Sequence, residues 1–193
     1  MSGIYLILGG ARSGKSSYGE KLAASLAGRT AYLATSSITD EEMEKRVELH
    51  RKRRPEDWLT IELAVSKPDR REIDRIYSLL QDNRVQTLVV DCVTNLLFRI
   101  IHEYRLDDME VIENSMESGI EQEVHDFFTY FIKKLSSGSM DIIIISNELG
   151  MGVVPAFPLG RLFRDLMGVI NRELASVSDK VYFFIAGIKQ ELK

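Results

Sequence analysis

The sequence predicts an α/β fold, a mostly parallel β-sheet flanked by helices, and three observations lead to it. Short apolar runs of strand length alternate along the chain with segments whose apolar residues return every three or four positions. The first run, residues 4–8 (IYLIL), opens directly into Gly9-Gly10-Ala11-Arg12-Ser13-Gly14-Lys15-Ser16. That octet has the form glycine, any four residues, Gly-Lys-Ser, and a helical pattern follows it at once.

The octet is a phosphate-binding loop in its residue types as well as its spacing. Gly9 and Gly14 permit backbone dihedrals closed to other residues, which turns consecutive amide N–H groups onto phosphate oxygens at a helix N-terminus. Lys15 adds a mobile positive charge for the β- and γ-phosphates, and the Ser16 hydroxyl is placed to complete the shell of a Mg²⁺ ion. Strand, loop and helix together narrow the fold to the P-loop NTPase type (RecA-like) and assign residues 9–16 to nucleotide binding.

A length of 193 residues suits one domain, spanning 1–193, and 45% hydrophobic with 28% charged residues is the balance of a globular chain. The net charge of -4 argues against nucleic acid or anionic lipid as a general partner, so any basic site must be local. The single cysteine, Cys92, cannot pair within the chain. The N-terminus has no secretory pattern and no run reaches membrane-spanning length, so the expected location is the cytoplasm.

After the loop, Tyr18, Leu22 and Leu26 recur every fourth residue and predict a helical stripe that Gly28 terminates. Residues 30–35 (TAYLAT) read as the second strand. Ala34, Thr35 and Ser36 then fall at its C-terminal end, the edge where open α/β sheets hold ligands. Thr39 and Glu42 have capping-box spacing, so a helix starts there. Met43, Val47 and His50 share one of its faces, and it stops before Pro55. His50 therefore lies near the helix end, directly before Arg51-Lys52-Arg53-Arg54. From spacing alone two readings stay open. The four cations are a solvated face suited to a helix C-terminus, with a structural His50, or they form a polyphosphate site that keeps the imidazole neutral and nucleophilic.

Residues 58–63 (WLTIEL) predict a strand carrying Glu62, which in isolation reads as a surface carboxylate. Ser66-Lys67-Pro68-Asp69 makes a turn, and Ile73, Ile76, Tyr77 and Leu80 give the next helix its buried stripe. Residues 86–91 (QTLVVD) form an apolar strand ending in Asp91, the form of the P-loop partner strand whose carboxylate meets the magnesium ion, usually through water. From about residue 100 to 119 the chain is acidic and irregular and reads as a helical or mobile excursion near the ligand edge. His102 lies there without a catalytic signature. Val124, Phe127, Phe128, Phe131, Ile132 and Leu135 trace an amphipathic helix ended by residues 136–139 (SSGS), with His125 off the stripe and exposed. Residues 141–146 (DIIIIS) are a core strand whose exit, residues 147–155, holds two glycines and a proline and is a candidate functional loop. Leu162, Phe163, Leu166, Val169, Ile170 and Leu174 mark a long amphipathic helix, and residues 180–186 (KVYFFIA) a last strand.

The loop GGARSGKS, the run YLATS, the helix segment ending in His50 and continuing to Arg54-Pro55, the VVDC strand, SNELGMGVVP and FRDLMGVINRELA occur in order along nearly the whole chain. Together they resemble the bifunctional adenosylcobinamide kinase / adenosylcobinamide-phosphate guanylyltransferase of cobalamin biosynthesis. The resemblance implies two reactions. A nucleoside triphosphate first phosphorylates the aminopropanol hydroxyl of adenosylcobinamide, and GTP then donates GMP to that phosphate with release of pyrophosphate. It implies that His50 carries the guanylyl group, and Leu49 stands where relatives can carry a second histidine. It also implies that Gly9, Gly10, Ala11, Arg12, Ser13, Gly14, Lys15, Ser16, Ala34, Thr35, Ser36, Arg51, Lys52, Arg53, Arg54, Glu62 and Asp91 contact the nucleotide. Ser16 and Asp91 would serve Mg²⁺, with Glu62 and Asp91 open between guanosine and metal contacts, and the assembly would be a homo-oligomer such as a trimer. No Asn-Lys-x-Asp guanine-reading motif occurs, so the preference for GTP rests on the resemblance, and the kinase step can draw on ATP as well. Two alternatives remain: a P-loop kinase of another small alcohol or nucleotide, and a nucleotide-dependent regulatory switch.

Overall fold

The structure is a computed structural model that describes residues 2–36, 55–107 and 109–193. Strands β1 (Ile4–Gly9), β2 (Thr30–Ala34), β3 (Leu59–Glu62), β4 (Thr87–Asp91), β5 (Asp141–Asn147) and β6 (Lys180–Ile185) run parallel, and β7 (Ile188–Glu191) pairs antiparallel with β6. They form one seven-stranded sheet in the order β3-β2-β4-β5-β1-β6-β7. The central strands are near-continuous apolar runs because both faces of a parallel sheet are covered.

Alternation along each strand divides the core in two. Ile7, Tyr32, Val89, Ile143, Ile145, Tyr182 and Phe184 belong to the cluster beneath α1 (Lys15–Ser25). Their neighbours Leu6, Leu8, Leu33, Leu88, Val90, Ile142 and Ile144 join the larger cluster beneath α2 (Arg70–Asp82), α3 (Val93–His102), α4 (Asn114–Leu135) and α5 (Pro158–Val177). This is the P-loop type of α/β architecture expected from the sequence.

The strands predicted at 30–35, 58–63, 86–91 and 141–146 are present, with no end displaced by more than one residue. In α1 the expected stripe of Tyr18, Leu22 and Leu26 is only partly buried, and the deeply buried line is Lys15, Gly19 and Ala23. A Cβ on Gly19 would lie 2.9 Å from Ile145 Cδ1, so small residues there let the helix sit close to the sheet. The helix ends at Ser25, and Gly28, at φ 97°, makes the turn into β2, where a Cβ would fall on the Gln86 side chain.

Two elements correct the sequence reading. The first is α3, which follows Asp91 almost directly and buries Val93, Leu96, Leu97, Ile100 and Ile101. Of the stretch expected as an excursion, residues 100–102 close α3 and 114–119 open α4. The second is β7, since β6 is not the last strand. Ala186 and Gly187 both have positive φ, 51° and 82°, the geometry of a two-residue hairpin turn, and return the chain antiparallel along β6. Among the described residues no helix is long and apolar enough to cross a membrane.

Candidate functional site

Parallel register brings the C-terminal ends of five strands to one edge. Glu62 pairs with Ala34, Ala34 with Asp91, Asp91 with Ile145, and Gly9 with Asn147. At about 4.8 Å per strand step, the four steps from β1 to β3 span about 19 Å. The loop 9–16, Asp91, residues 34–36 and Glu62 follow one another along it.

At the β1 end the loop is pinned from several sides. Gly9 is buried, and a Cβ there would lie 2.7 Å from both the Phe184 carbonyl oxygen and Ser13 Oγ, so only glycine lets β1 leave the sheet at this point. Arg12 and Gly14 take left-handed conformations, φ 57° and 95°, and Gly14 is the N-cap of α1. Ser13 N–H donates to Gly10 O at 3.3 Å, and Gly187 N–H donates to Ser13 O at 3.1 Å, which ties the loop to the β6–β7 turn. Lys15 is 8% exposed and its Nζ donates to the Gly10 carbonyl at 3.1 Å. Burial pushes its pKa down, while the neighbouring Asp91 carboxylate acts in the opposite sense. Ser13 Oγ is buried without a hydrogen-bond partner, an orphaned polar atom inside a loop shaped for an anion.

Asp91 ends β4 with its Oδ2 accepting a 2.6 Å hydrogen bond from Tyr32 Oη on β2. Beside it, Thr35 ties β2 to β4. Its N–H donates to Asp91 O at 3.1 Å, and its buried Oγ1 accepts from Cys92 N–H at 2.6 Å and donates to Cys92 O at 2.8 Å. Thr35 is thus fully buried, with both its hydroxyl and its backbone N–H engaged between β2 and β4. The Cys92 thiol is pushed up to about 11, chiefly by burial and then by Asp91, so it stays protonated at neutral pH. Glu62 is exposed, and its carbonyl accepts from Arg75 at 2.9 Å.

The exit of β5 is fixed next to the loop. Buried Ser146 Oγ donates to Asn171 Oδ1 at 2.6 Å, Asn171 Nδ2 donates to Asn147 O at 3.0 Å, and Asn147 N–H donates to Thr94 Oγ1 at 3.2 Å. Glu148 N–H then reaches Gly9 O at 3.2 Å. Glu148 and Met151 join the loop in lining a cavity of about 360 Å³. Further along the same segment, Pro155 and Phe157 line a second, largely apolar cavity of about 370 Å³ against Phe98 and Ile101 of α3.

Of the residues predicted for the site, Gly9 through Ser16, Ala34, Thr35, Ser36, Glu62 and Asp91 are brought to this edge. His50, Arg51, Lys52, Arg53 and Arg54 lie outside the described residues, as does the helix read from Thr39 to His50. His125 is exposed, with Nδ1 3.1 Å from Glu173 Oε1. Glu72, Arg75, Arg99 and Asn171, which hold the edge in shape, were not singled out from the sequence. Asp69 and Glu72 carry a capping-box signal, and Arg99 is a lone cation in the apolar run 93–101.

Comparison with known proteins agrees over almost the full length. The sequence profile of the family described as cobinamide kinase / cobinamide phosphate guanyltransferase matches residues 5–192. The bifunctional adenosylcobalamin biosynthesis protein CobU of Escherichia coli (strain K12) is 34% identical over 191 residues, covering 97% of this chain and 98% of that one. The bifunctional adenosylcobalamin biosynthesis protein CobP of Pseudomonas aeruginosa is 35% identical over 190 residues, covering 97% and 96%. Among solved structures, a KaiC-like protein from Pyrococcus horikoshii aligns with a TM-score of 0.45 at 11% identity, covering 94% of this chain and 70% of that one.

Proposed function

Because the chain belongs to the cobinamide kinase / cobinamide phosphate guanyltransferase family, we propose that it carries out both reactions at the sheet edge described above. It phosphorylates adenosylcobinamide from a nucleoside triphosphate. It then transfers GMP from GTP to that phosphate, giving adenosylcobinamide-GDP and pyrophosphate. The observation that carries this reading is the gathering of residues 9–16, 34–36, 62 and 91 on one edge of a chain that matches the family over residues 5–192.

The polyphosphate lies in the loop 9–16. Backbone N–H groups at the start of α1 face its oxygens, and Lys15 exchanges its bond to the Gly10 carbonyl for phosphate. The loop backbone is held before the ligand arrives, so its N–H donors stabilise charge on the transferring or leaving phosphate without reorganising. From β1 to β2 is three strand steps, about 14 Å, so an extended nucleotide anchored at the loop carries its nucleoside to residues 34–36 and Glu62. The Ser16 hydroxyl and the Asp91 carboxylate are hard oxygen donors of the kind Mg²⁺ takes alongside phosphates and water, and they fit that ion. Bound there, it would neutralise phosphate charge.

In the guanylyl step, the neutral imidazole of His50 attacks the α-phosphorus of GTP in line. The bond to the bridging oxygen breaks, and pyrophosphate leaves into the loop. A phosphate oxygen of adenosylcobinamide phosphate then attacks the same phosphorus, the P–N bond breaks and the imidazole is restored. Arg51 through Arg54 disperse the charge of the leaving group. The enzyme works as a homo-oligomer, a trimer, in the cytoplasm.

Product analysis tests the reading. Adenosylcobinamide with ATP or GTP should give its phosphate, and the phosphate with GTP should give adenosylcobinamide-GDP and pyrophosphate in equal amounts. Phosphorylation without any GMP transfer would leave a simple kinase in its place.

A further inference from the structure

Arg99 projects from α3 onto the ends of two strands that are not joined to it in sequence. Its Nε donates to Thr35 O at 2.9 Å and its NH2 to Ser36 O at 3.0 Å, on the exit of β2. Its NH1 donates to Val65 O at 3.0 Å and to Ser66 O at 3.4 Å, on the exit of β3. Carbonyls just past a strand end have lost their ladder partners, and a charged donor satisfies them more strongly than a neutral one. The planar fork of a guanidinium spans two such pairs at once, which a lysine ammonium cannot do.

The β3 exit is also braced from α2. Glu72, 4% exposed, accepts from Ala64 N–H at 2.7 Å and from Arg75, while Arg75 NH2 donates to Glu62 O at 2.9 Å. Asp69 fixes Glu72 in turn by accepting its N–H at 2.9 Å. With α2 holding one side of the β3 exit, the guanidinium of Arg99 ties residues 35–36 to residues 65–66 beyond the last paired positions, Ala34 and Glu62. The phosphate loop has separate ties, to the β6–β7 turn and to the exit of β5.

We propose that Arg99 is a positioning residue for the nucleoside half of the site: by fastening the exit of β2 to the exit of β3, it fixes residues 34–36 and Glu62, against which the guanosine of GTP lies. The inference rests on the nucleoside lying against residues 34–36 and Glu62, as in the function proposed above. It assigns Arg99 no contact with the reacting phosphorus. Its loss therefore weakens nucleoside recognition and leaves polyphosphate binding intact.

The test uses the full chain as wild type, Arg99→Ala and Arg99→Lys, and measures equilibrium affinity with Mg²⁺ for GTP and for inorganic tripolyphosphate. The second ligand has no nucleoside and reports on the loop alone. Arg99→Ala should weaken GTP about ten-fold, the equivalent of one lost hydrogen bond to a charged donor, with tripolyphosphate within about two-fold of wild type. Arg99→Lys, which keeps the charge and loses the fork, should show a smaller split of the same sign, and it carries the test if the alanine variant does not fold. Equal weakening of both ligands, or no change in either, overturns the proposal. A chain that shows the split yet never transfers GMP keeps this inference and loses the guanylyltransferase reading. A wild type that binds GTP no more tightly than tripolyphosphate removes the nucleoside placement and the inference with it.

Discussion

Replacing Asn171 by leucine, a side chain of similar shape, tests how the β5 exit is held beside the phosphate loop. Asn171 is 5% exposed and Ser146 fully buried, so two hydrogen bonds are lost where little water can replace them. Each buried polar group left without a partner costs about 1–3 kcal/mol. Asn147 is only half-buried and recovers part of its share from water, so the substitution should cost about 2–4 kcal/mol. In a chain of this size that lowers Tm by about 4–16 °C. Adding Ser146→Ala removes the orphaned hydroxyl, so the double variant should be more stable than the sum of the two single changes, with a coupling of about 1–3 kcal/mol. Urea unfolding of all four proteins reads this directly. A cost below about 1 kcal/mol for Asn171→Leu, or strict additivity in the cycle, would show that the Ser146–Asn171–Asn147 chain does not hold the β5 exit.

Two further changes test other parts of the edge. Burial by itself would raise the Glu72 carboxyl, but hydrogen bonds from Arg75 and the Ala64 amide, with the Arg75 charge, outweigh it and hold the group below its ordinary value. Its folded pKa being depressed, it contributes stability above the unfolded carboxylate value of about 4.3, and this is lost as pH falls through the folded value. Glu72→Gln should thus be less stable than wild type at neutral pH, with a gap that narrows in acid below about pH 4.3. A gap independent of pH in unfolding measurements would contradict the ion-pair assignment. Lys15→Ala should lower both phosphoryl and guanylyl transfer by about a hundred-fold or more, since both reactions leave polyphosphate charge at the loop. Loss of one activity alone would show that they do not share it.

The architecture and much of the site edge were legible because they are local. The strand 4–8, the glycine spacing and the first helical turn are contiguous, and each of β1 to β6 announces itself by an apolar run. Parallel register then does what no single segment states, aligning Glu62, Ala34 and Asp91 side by side. Helix α3 was missed because residues 92–101 continue the apolar character of β4 with only Cys92 between the two elements. The hairpin to β7 was missed because alanine takes the positive-φ position where asparagine, aspartate or glycine is the usual signal. All four residues of β7 are exposed, so no alternation marks it. Arg99 and Asn171 act on carbonyls and hydroxyls 24 to 64 residues away in sequence, a relation that exists only once the sheet is assembled. His50 and the four cations after it lie outside the described residues, so their roles rest on residue type and family membership.

Incubation with GTP labelled at the α-phosphorus tests most directly whether guanylyl transfer passes through a protein histidine. The wild-type chain should take up the label in a linkage that acid breaks and base spares. The label should map to His50 and be discharged by adenosylcobinamide phosphate. His50→Ala should stay unlabelled while still phosphorylating adenosylcobinamide. A His50→Ala chain that accepts label, or that forms adenosylcobinamide-GDP at the wild-type rate, would contradict transfer through His50.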